Sequence, residues 1–530
     1  MTENRHNQEH RLGELIKELK VKRMKGVAAE GLTISTIEAD SRKVEPGAVF
    51  VAVKGTQTDG SLYIPKAIDA GAAAIVCENI PTDATDSVCW IETPHTDEAL
   101  GLLASAFHGH PSRKLTLVGV TGTNGKTTVA TLMYETAKLR GEKAGLLSTV
   151  VNKIDNEPVA ATHTTPDPLE LNALLAKIVE AGCTFAAMEV SSHAADQKRI
   201  AGLDFDGAVF TNITRDHLDY HKTFDNYLRA KKSFFDGLKP EAFALINIDD
   251  RNGRVMVQNT RAKVYTYSVS GEADFTGKIV ENRIDGMCLR LDGKDVETLF
   301  SGRFNAQNLT AVYGAGVLCG VSRDEMRVIT SALVPVAGRF QNFRNHGITA
   351  VVDYAHTPDA LENVLSTIRD ILGRPAQGNA AEEDAEGKGR IITVFGAGGD
   401  RDHGKRPMMA REAALRSDLV MITSDNPRTE KPFDIIADIW EGIPEEARSR
   451  TLVNPDREAA IAMAVGLARP GDVVLLAGKG HEDYQIIGTV KHHCDDRETV
   501  CRCLGLSFDA KTGAAAPLNS ANSLPTSKNN

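Results

Sequence analysis

Residues 119–128 read Gly-Val-Thr-Gly-Thr-Asn-Gly-Lys-Thr-Thr, and residues of these types at this spacing can hold phosphate. Gly119 and Gly125 stand six apart, directly ahead of Lys126 and Thr127, which is the spacing of a P-loop. In such a loop the backbone N–H groups of Gly122, Thr123, Asn124 and Gly125 point at phosphate oxygens, and the N-terminus of the following helix adds partial positive charge. Lys126 then reaches the terminal phosphates, the Thr127 hydroxyl holds Mg²⁺, and Thr128 completes the loop. ATP and Mg²⁺ are the cofactors this predicts. A chance glycine turn would not need a strand before it and a helix after it. Here the apolar run Leu115–Val120 precedes, and a helical pattern over Val129–Leu139 follows. Two further strand ends carry suitable ligands. Glu189 closes the apolar run Phe185–Val190 and can share the ion held by Thr127. His217 lies in Thr211–Asp219, after another apolar run, and can complete a second metal site. Either residue alone reads equally well as a solvated turn residue. Three strand ends directed at one crevice of a parallel sheet are a stronger signal.

The elements that must position these groups follow the pattern of an α/β protein in three domains. Residues 1–112 hold apolar segments at Ala48–Val53 and Ala73–Cys77, separated by turns at Pro46-Gly47 and Asp59-Gly60, and predict a smaller N-terminal α/β domain. Residues 113–336 begin with the P-loop strand and continue through Phe185–Val190, Gly207–Ile213 and Ala242–Ile248, with a helix over Pro168–Ala181. This alternation predicts a central P-loop ATPase-like domain with a parallel sheet covered on both faces. Short strands up to about Phe300 and a helix over Asn305–Leu318 close it. Residues 337–508 predict a C-terminal Rossmann-like domain with strands at Thr349–Tyr354, Arg390–Phe395, Leu419–Thr423 and Val473–Ala477. The polar stretch 375–389 reads as a mobile loop, and 509–530, rich in Ser, Asn, Ala and Pro, as a disordered tail.

Composition narrows the function classes. At 530 residues the chain is too long for one core. Apolar residues make up 42% and charged residues 25%, as in an ordinary globular protein. A net charge of −10 argues against nucleic acid as a general partner and requires local basic sites for any anionic ligand. No apolar run approaches the length of about 18 residues needed to cross a membrane, and the polar start Met-Thr-Glu-Asn-Arg-His lacks a signal region. Eight cysteines over this length form no disulfide framework. These features predict a cytoplasmic protein. His492, His493, Cys494, Cys501 and Cys503 lie close together, but their spacing does not match the paired ligands of a zinc site.

Read as a whole, the chain resembles the Mur ligase family, ATP-dependent amide-forming enzymes of peptidoglycan precursor synthesis. Gly122–Thr128 has that family's P-loop form, and Glu189, His217 and the Asn305–Asn308 segment match in order and spacing. Tyr227-Leu228-Arg229-Ala230-Lys231 resembles the segment bearing the family's carbamylated lysine. That assigns Lys231, with Lys232 adjacent, as a ligand of the second Mg²⁺. The resemblance is strongest to the members that add the third residue of the stem peptide, and runs from about residue 39 to 498. It implies UDP-N-acetylmuramoyl-L-alanyl-D-glutamate as one substrate. Ser41, Thr56, Gln57 and Thr58 match uridine-diphosphate contacts. Thr164, Thr165, Ser191, Gln197 and Arg199 match contacts to the muramoyl dipeptide. Asn305, Arg339 and Asp353 would reach the nucleotide, Arg339 at the phosphates and Asp353 at the ribose. A monomer is expected.

The third domain then bears on the amino acid. Gly396–Asp402 follows a strand and looks like a dinucleotide fingerprint, but Arg401 stands where that motif needs glycine. In the family pattern Arg401 binds the incoming amino acid. Asp425-Asn426-Pro427-Arg428 resembles the form that accompanies meso-diaminopimelate, with Gly478 and Glu482 at the amino end of that substrate. The chemistry agrees, because diaminopimelate is lysine with an extra carboxylate, and a guanidinium can pair that group in bidentate fashion. Three alternatives remain in view: the same ligase using L-lysine, a folylpolyglutamate-type ligase, and a P-loop ATPase coupled to partner binding.

Overall fold

The computed structural model describes residues 10–55, 58–161, 163–373, 389–510 and 513–517. The insertion expected to be mobile, 375–389, lies outside the described residues apart from Gly389. The chain groups into two compact units. The first comprises residues 1–213, 221–275 and 311–326, and the second 214–220, 276–310 and 327–530.

Two larger sheets lie in the first unit, beside a small antiparallel pair of His10–Arg11 with Thr33–Ile34. The N-terminal sheet has the order Arg23–Gly26, Cys89–Glu92, Ala74–Cys77, Val49–Val51, Ile37–Glu38. All neighbours are parallel except the first pair. The P-loop sheet begins with the strands Glu157–Val159, Asn152–Ile154, Ala144–Leu147, Phe185–Glu189, Thr116–Thr121, Gly207–Phe210, Phe243–Asn247, Lys263–Ser268, the first eight of its eleven. Its strands from Ala144–Leu147 to Lys263–Ser268 are parallel. Every residue of Phe185–Glu189, Gly207–Phe210 and Phe243–Asn247 is buried. That is why these strands read as unbroken apolar runs rather than as alternating ones. Helices Lys126–Leu139, Pro168–Glu180 and Phe224–Asp236 accompany them. Leu171, Leu175, Ile178, Phe205, Phe234 and Phe235 fill the core beside the strands. Asp167 caps the Pro168–Glu180 helix through the N–H groups of Leu169 and Glu170, with Pro168 in the first turn. Parallel register sets Glu189 opposite Val120 and Phe210 opposite Thr121, so three strands end at the P-loop.

The second unit carries a six-stranded sheet in the order Gln341–Asn345, Ile348–Asp353, Val473–Ala477, Ile391–Phe395, Leu419–Ile422, Thr451–Val453. All pairs are parallel except the first. Leu361, Leu365 and Ile368 of the Pro358–Leu372 helix pack on one face, and Ile461, Val500 and Leu504 on the other. The helix read as Asn305–Leu318 spans Arg303–Leu318.

The tail differs from expectation. Leu506–Asp509 and Ala514–Pro517 form an antiparallel hairpin, where composition suggested disorder from 509 onwards. Gly513 turns the chain with φ +70°, its carbonyl accepts from Gln341 Nε2 at 2.9 Å, and Phe508 packs edge-on against Phe343. Backbone pairing needs no apolar alternation, so an alanine-rich strand leaves little trace in composition. Among the described residues no helix is long and apolar enough to cross a membrane.

Candidate active site

The P-loop is held from below by the next strand end. Asn212 Oδ1 accepts the Asn124 N–H at 2.9 Å, and its Nδ2 donates to Asn124 O at 3.1 Å. Thr211 Oγ1 donates to the same carbonyl at 2.6 Å, and the Thr123 N–H donates to Asn212 O at 2.8 Å. Gly122 sits at φ +155° against the Thr211 hydroxyl, with no room for a Cβ. Lys126 Nζ donates to Gly122 O (3.0 Å) and Thr123 O (2.8 Å), folded over its own loop. Thr127 and Thr128 are buried in the first helical turn.

The helix Phe224–Asp236 brings a second lysine to this loop. Lys231, 1% exposed, donates to Gly122 O at 2.7 Å and lies 4.7 Å from the centre of the Tyr227 ring. The Tyr227 hydroxyl bonds Thr123 Oγ1 at 2.9 Å. Lys232 turns away and pairs with Asp236 at 2.6 Å. Thr223 starts this helix by accepting the Asn226 N–H.

Glu189 lies at the neighbouring strand end. One of its oxygens accepts the Thr149 N–H at 2.8 Å, while Oε2 is buried with no hydrogen-bond partner among the described residues. A buried carboxylate oxygen left in this way is costly unless a cation or donor completes it. From Glu189 a polar network runs outward. Thr165 Oγ1 donates to Glu189 O (2.8 Å) and accepts the Ser191 N–H (3.1 Å). Ser191 Oγ accepts the Ala194 N–H at 3.1 Å. Arg199 donates to Thr165 O (2.9 Å) and to Gln197 Oε1 (2.7 and 3.0 Å). Thr164 bonds Thr149 through their hydroxyls at 3.1 Å. Five residues picked out by resemblance therefore share one network with Glu189. In the N-terminal sheet region, Ser41 is buried beside Asp40, which the Arg42 guanidinium holds well below the usual carboxylate range. Thr58 is exposed, and Thr56 and Gln57 lie outside the described residues.

His217 belongs to the segment 214–220 of the second unit, whereas Thr127, Glu189 and Lys231 belong to the first. It is half-exposed at φ +52°, with Nε2 3.5 Å from Asp216 Oδ2. Lys405 Nζ donates to Asp216 Oδ1 at 2.7 Å, and Thr214 Oγ1 to Asp359 Oδ2 at 3.1 Å. Burial alone would raise the Asp216 carboxyl, but the charges of His217 and Lys405 bring it below its ordinary range. Neither Asp216 nor Lys405 stood out in the sequence. Asn305 is buried and donates to Ser301 O at 2.9 Å. The Arg339 guanidinium lies 4.5 Å from the centre of the Tyr354 ring. Asp353 accepts the Phe340 N–H at 2.7 Å, and burial pushes its carboxyl up to about 6 against the pull of Arg339.

The remaining residues form a second polar site in the same unit. The glycine run 396–399 and the turn 425–428 follow adjacent strands and lie backbone to backbone, with the Gly399 N–H donating to Asn426 O at 2.9 Å. A Cβ at Gly399 would fall far inside contact distance of Pro427 O. The glycines thus serve close packing of two turns, in keeping with the failed dinucleotide match. Gly399→Ala should lower stability by about 1–3 kcal/mol. Equilibrium denaturation checks this, and wild-type stability would refute so tight an approach.

Arg428 sits at φ +52°, pinned by its N–H to Ile486 O (3.0 Å) and by the Gly488 N–H to its carbonyl (2.7 Å). Its Nη1 donates to Gly399 O at 2.7 Å, which leaves Nη2 and Nε without an acceptor among the described residues. Arg401 is exposed on the facing turn and has no ion pair among the described residues. Asn426 Nδ2 donates to Glu482 Oε2 at 2.8 Å, and buried Lys479 lies 3.3 Å from the same oxygen and 3.7 Å from Asp425. Burial and the neighbouring Asp425 push the Glu482 carboxyl up. Gly478, at φ +113°, passes against the Asp425 carboxylate. The arrangement offers cationic donors at one end and carboxylates at the other, as an amino acid with a distal acid requires. Away from this site, His493 pairs with Glu498 and Cys501 lies in the core.

Comparison with known proteins adds three matches along the chain. Residues 33–108 match the profile described as Mur ligase family, catalytic domain. Residues 120–316 match the Mur ligase middle domain, and 338–480 the Mur ligase, glutamate ligase domain. A Parabacteroides distasonis protein is 55% identical over 473 residues, covering 89% of this chain and 95% of the relative. A Phocaeicola vulgatus protein is 53% identical over 491 residues, covering 92% and 98%. Both are named UDP-N-acetylmuramoyl-L-alanyl-D-glutamate--2,6-diaminopimelate ligase. A solved structure of a ligase of the same name is similar with a TM-score of 0.66 at 32% identity, covering 94% of this chain and 99% of that one.

Proposed function

The chain belongs to the Mur ligase family, and from that premise we propose that it joins meso-diaminopimelate to UDP-N-acetylmuramoyl-L-alanyl-D-glutamate with ATP, in peptidoglycan precursor synthesis. The near full-length likeness to relatives named for this reaction carries the reading. We read the enzyme as a monomer working in the cytoplasm, where ATP is plentiful.

The γ-carboxylate of the D-glutamyl residue attacks the γ-phosphorus of ATP. The bond to the β-phosphate oxygen breaks, ADP leaves, and an acyl phosphate remains. A free carboxylate resists attack by an amine at neutral pH, and phosphate supplies the missing leaving group. The diaminopimelate amine, having lost a proton, then attacks the acyl carbon and expels inorganic phosphate. Lys126 swings from Gly122 O and Thr123 O onto the phosphates and offsets charge in the transfer. Backbone N–H groups of 122–127 orient the same phosphates. Arg339 and Asp353 serve the nucleotide, and Arg199, fixed through Gln197 and Thr165, meets the acidic dipeptide.

Thr127, Glu189, Lys231 as its carbamate, and His217 are the proposed holders of Mg²⁺. Glu189 Oε2, buried with no hydrogen-bond partner among the described residues, supports this, because a cation would complete it. Bound there, Mg²⁺ would neutralise phosphate charge. A carbamate on Lys231 would turn a buried ammonium into an anionic ligand facing the P-loop. The contact of Lys231 with Gly122 O, and the pairing of Lys232 with Asp236, favour Lys231 as the modified residue.

The test is phosphate release across candidate amino acids. Release should require both the UDP-muramoyl-dipeptide and meso-diaminopimelate, with the amide product seen by mass spectrometry. Turnover with L-lysine as brisk as with diaminopimelate would overturn the assigned specificity. ATP hydrolysis indifferent to both substrates would favour a coupled ATPase.

A further inference from the structure

The two arginine-bearing turns of the amino-acid site share a buried support that the reaction itself does not use. Arg406, in the first turn of the Lys405–Arg416 helix, is 1% exposed. Its Nη2 donates to Gly398 O at 3.1 Å and to Glu430 Oε1 at 2.8 Å. Its Nη1 donates to Glu430 Oε2 at 2.9 Å and to Asp438 Oδ2 at 2.7 Å. The same Glu430 Oε1 accepts the N–H of Asp400, the residue next to Arg401. On the outer side the Thr429 hydroxyl donates to Asp400 Oδ1 at 2.6 Å, and Arg428 donates to Gly399 O at 2.7 Å. One guanidinium therefore clamps the turn carrying Arg401 directly through Gly398 O. Through Glu430 it also clamps the segment that follows Arg428.

Burying a guanidinium is unfavourable unless its donors are satisfied, and here Nε is buried without an acceptor among the described residues. An apolar side chain would pack the helix without that cost but could not bridge two turns. Lysine could not either, since its single ammonium cannot span a carboxylate, a second carboxylate and a carbonyl in one plane.

We infer that Arg406 is a positioning residue for amino-acid selectivity, fixing the turns that carry Arg401 and Arg428 against one another so that both meet the carboxylates of the incoming amino acid. The inference rests on the proposed diaminopimelate reading. Small displacements of such donors weaken recognition of the distal carboxylate more than binding of ATP, which this clamp does not touch.

The test compares wild type, Arg406→Lys, Thr429→Val and, as control, Arg428→Ala, with diaminopimelate and L-lysine as acceptors. Arg406→Lys should raise the KM for diaminopimelate about tenfold or more and cut the diaminopimelate-to-lysine ratio of kcat/KM by a similar factor. KM values for ATP and the UDP-linked substrate should stay within about twofold of wild type. Thr429→Val, at an exposed side chain, should shift the ratio in the same direction by a smaller factor, and it decides the matter if Arg406→Lys does not fold. A folded Arg406→Lys with wild-type selectivity overturns the inference, as does a uniform loss across all three substrates. Unchanged selectivity in Thr429→Val beside an unfolded Arg406→Lys also overturns it. If Arg428→Ala loses selectivity while these variants keep it, the functional reading stands and this inference alone fails. Wild type without diaminopimelate-dependent turnover overturns both.

Discussion

Replacing Lys231 by alanine should reduce turnover by about 10³-fold or more, the scale expected when a group that stabilises transferring phosphate is removed. Lys231 is buried against Gly122 O on the strand side of the P-loop. As an ammonium it sits where ATP phosphates and a metal are expected, and as a carbamate it supplies the negative charge that Glu189 cannot supply alone. Added short carboxylic acids should restore part of the activity, because they can occupy the vacated space and return a carboxylate to it. Lys232→Ala is the matched control. Its ammonium is already committed to Asp236 on its own helix, and its loss should change kcat by no more than about twofold. Coupled phosphate release with and without acetate or propionate measures all three effects. An active Lys231→Ala beside an inactive Lys232→Ala would move the assignment by one residue and refute the reading of the helix face.

The second large effect is expected at Arg428. Truncation to alanine should lower kcat/KM for diaminopimelate by about 10²–10³-fold, the loss of a charge-assisted bidentate pair. Nη1 is anchored on Gly399 O, so the outer edge of the guanidinium is presented in a fixed plane. The KM for ATP should hardly move. Lysine should gain relative to diaminopimelate, since a cation that repels its side-chain ammonium has been removed. Steady-state kinetics with both amino acids checks this. An unchanged kcat/KM for diaminopimelate would strip Arg428 of its role.

How much of the candidate site is legible in the sequence follows from where each residue's partners lie. The P-loop is local: glycines, lysine and threonine within ten residues, bounded by a strand and a helix, carry their own geometry. Glu189 was legible because a charge closing an apolar strand has nowhere to point but the sheet's end. The P-loop's supports are harder to see: in the sequence Thr211 and Asn212 only lead up to His217, and Tyr227 only precedes Lys231 on its helix. Their hydrogen bonds to Thr123 and Asn124 depend on strand order, which a one-dimensional pattern does not encode. Lys405 and Arg406 carry no local signal in the sequence. Only the fold brings Lys405 to Asp216, 189 residues away, and Arg406 to Glu430 and Asp438. The terminal hairpin escaped for a different reason: its pairing is made by backbone groups that every residue possesses.

The alternation of segments between the two compact units has a consequence for recombination. The chain passes from one unit to the other at 213/214, 220/221, 275/276, 310/311 and 326/327. A C-terminal half grafted from a relative at a single junction near 337 would therefore arrive without its own 214–220 and 276–310. The host's Thr214 and Asp216 would then face a foreign Asp359 and Lys405, and its Ile284 carbonyl a foreign Asn342. Chimeras that carry the two earlier segments along with the C-terminal one keep these native pairs together.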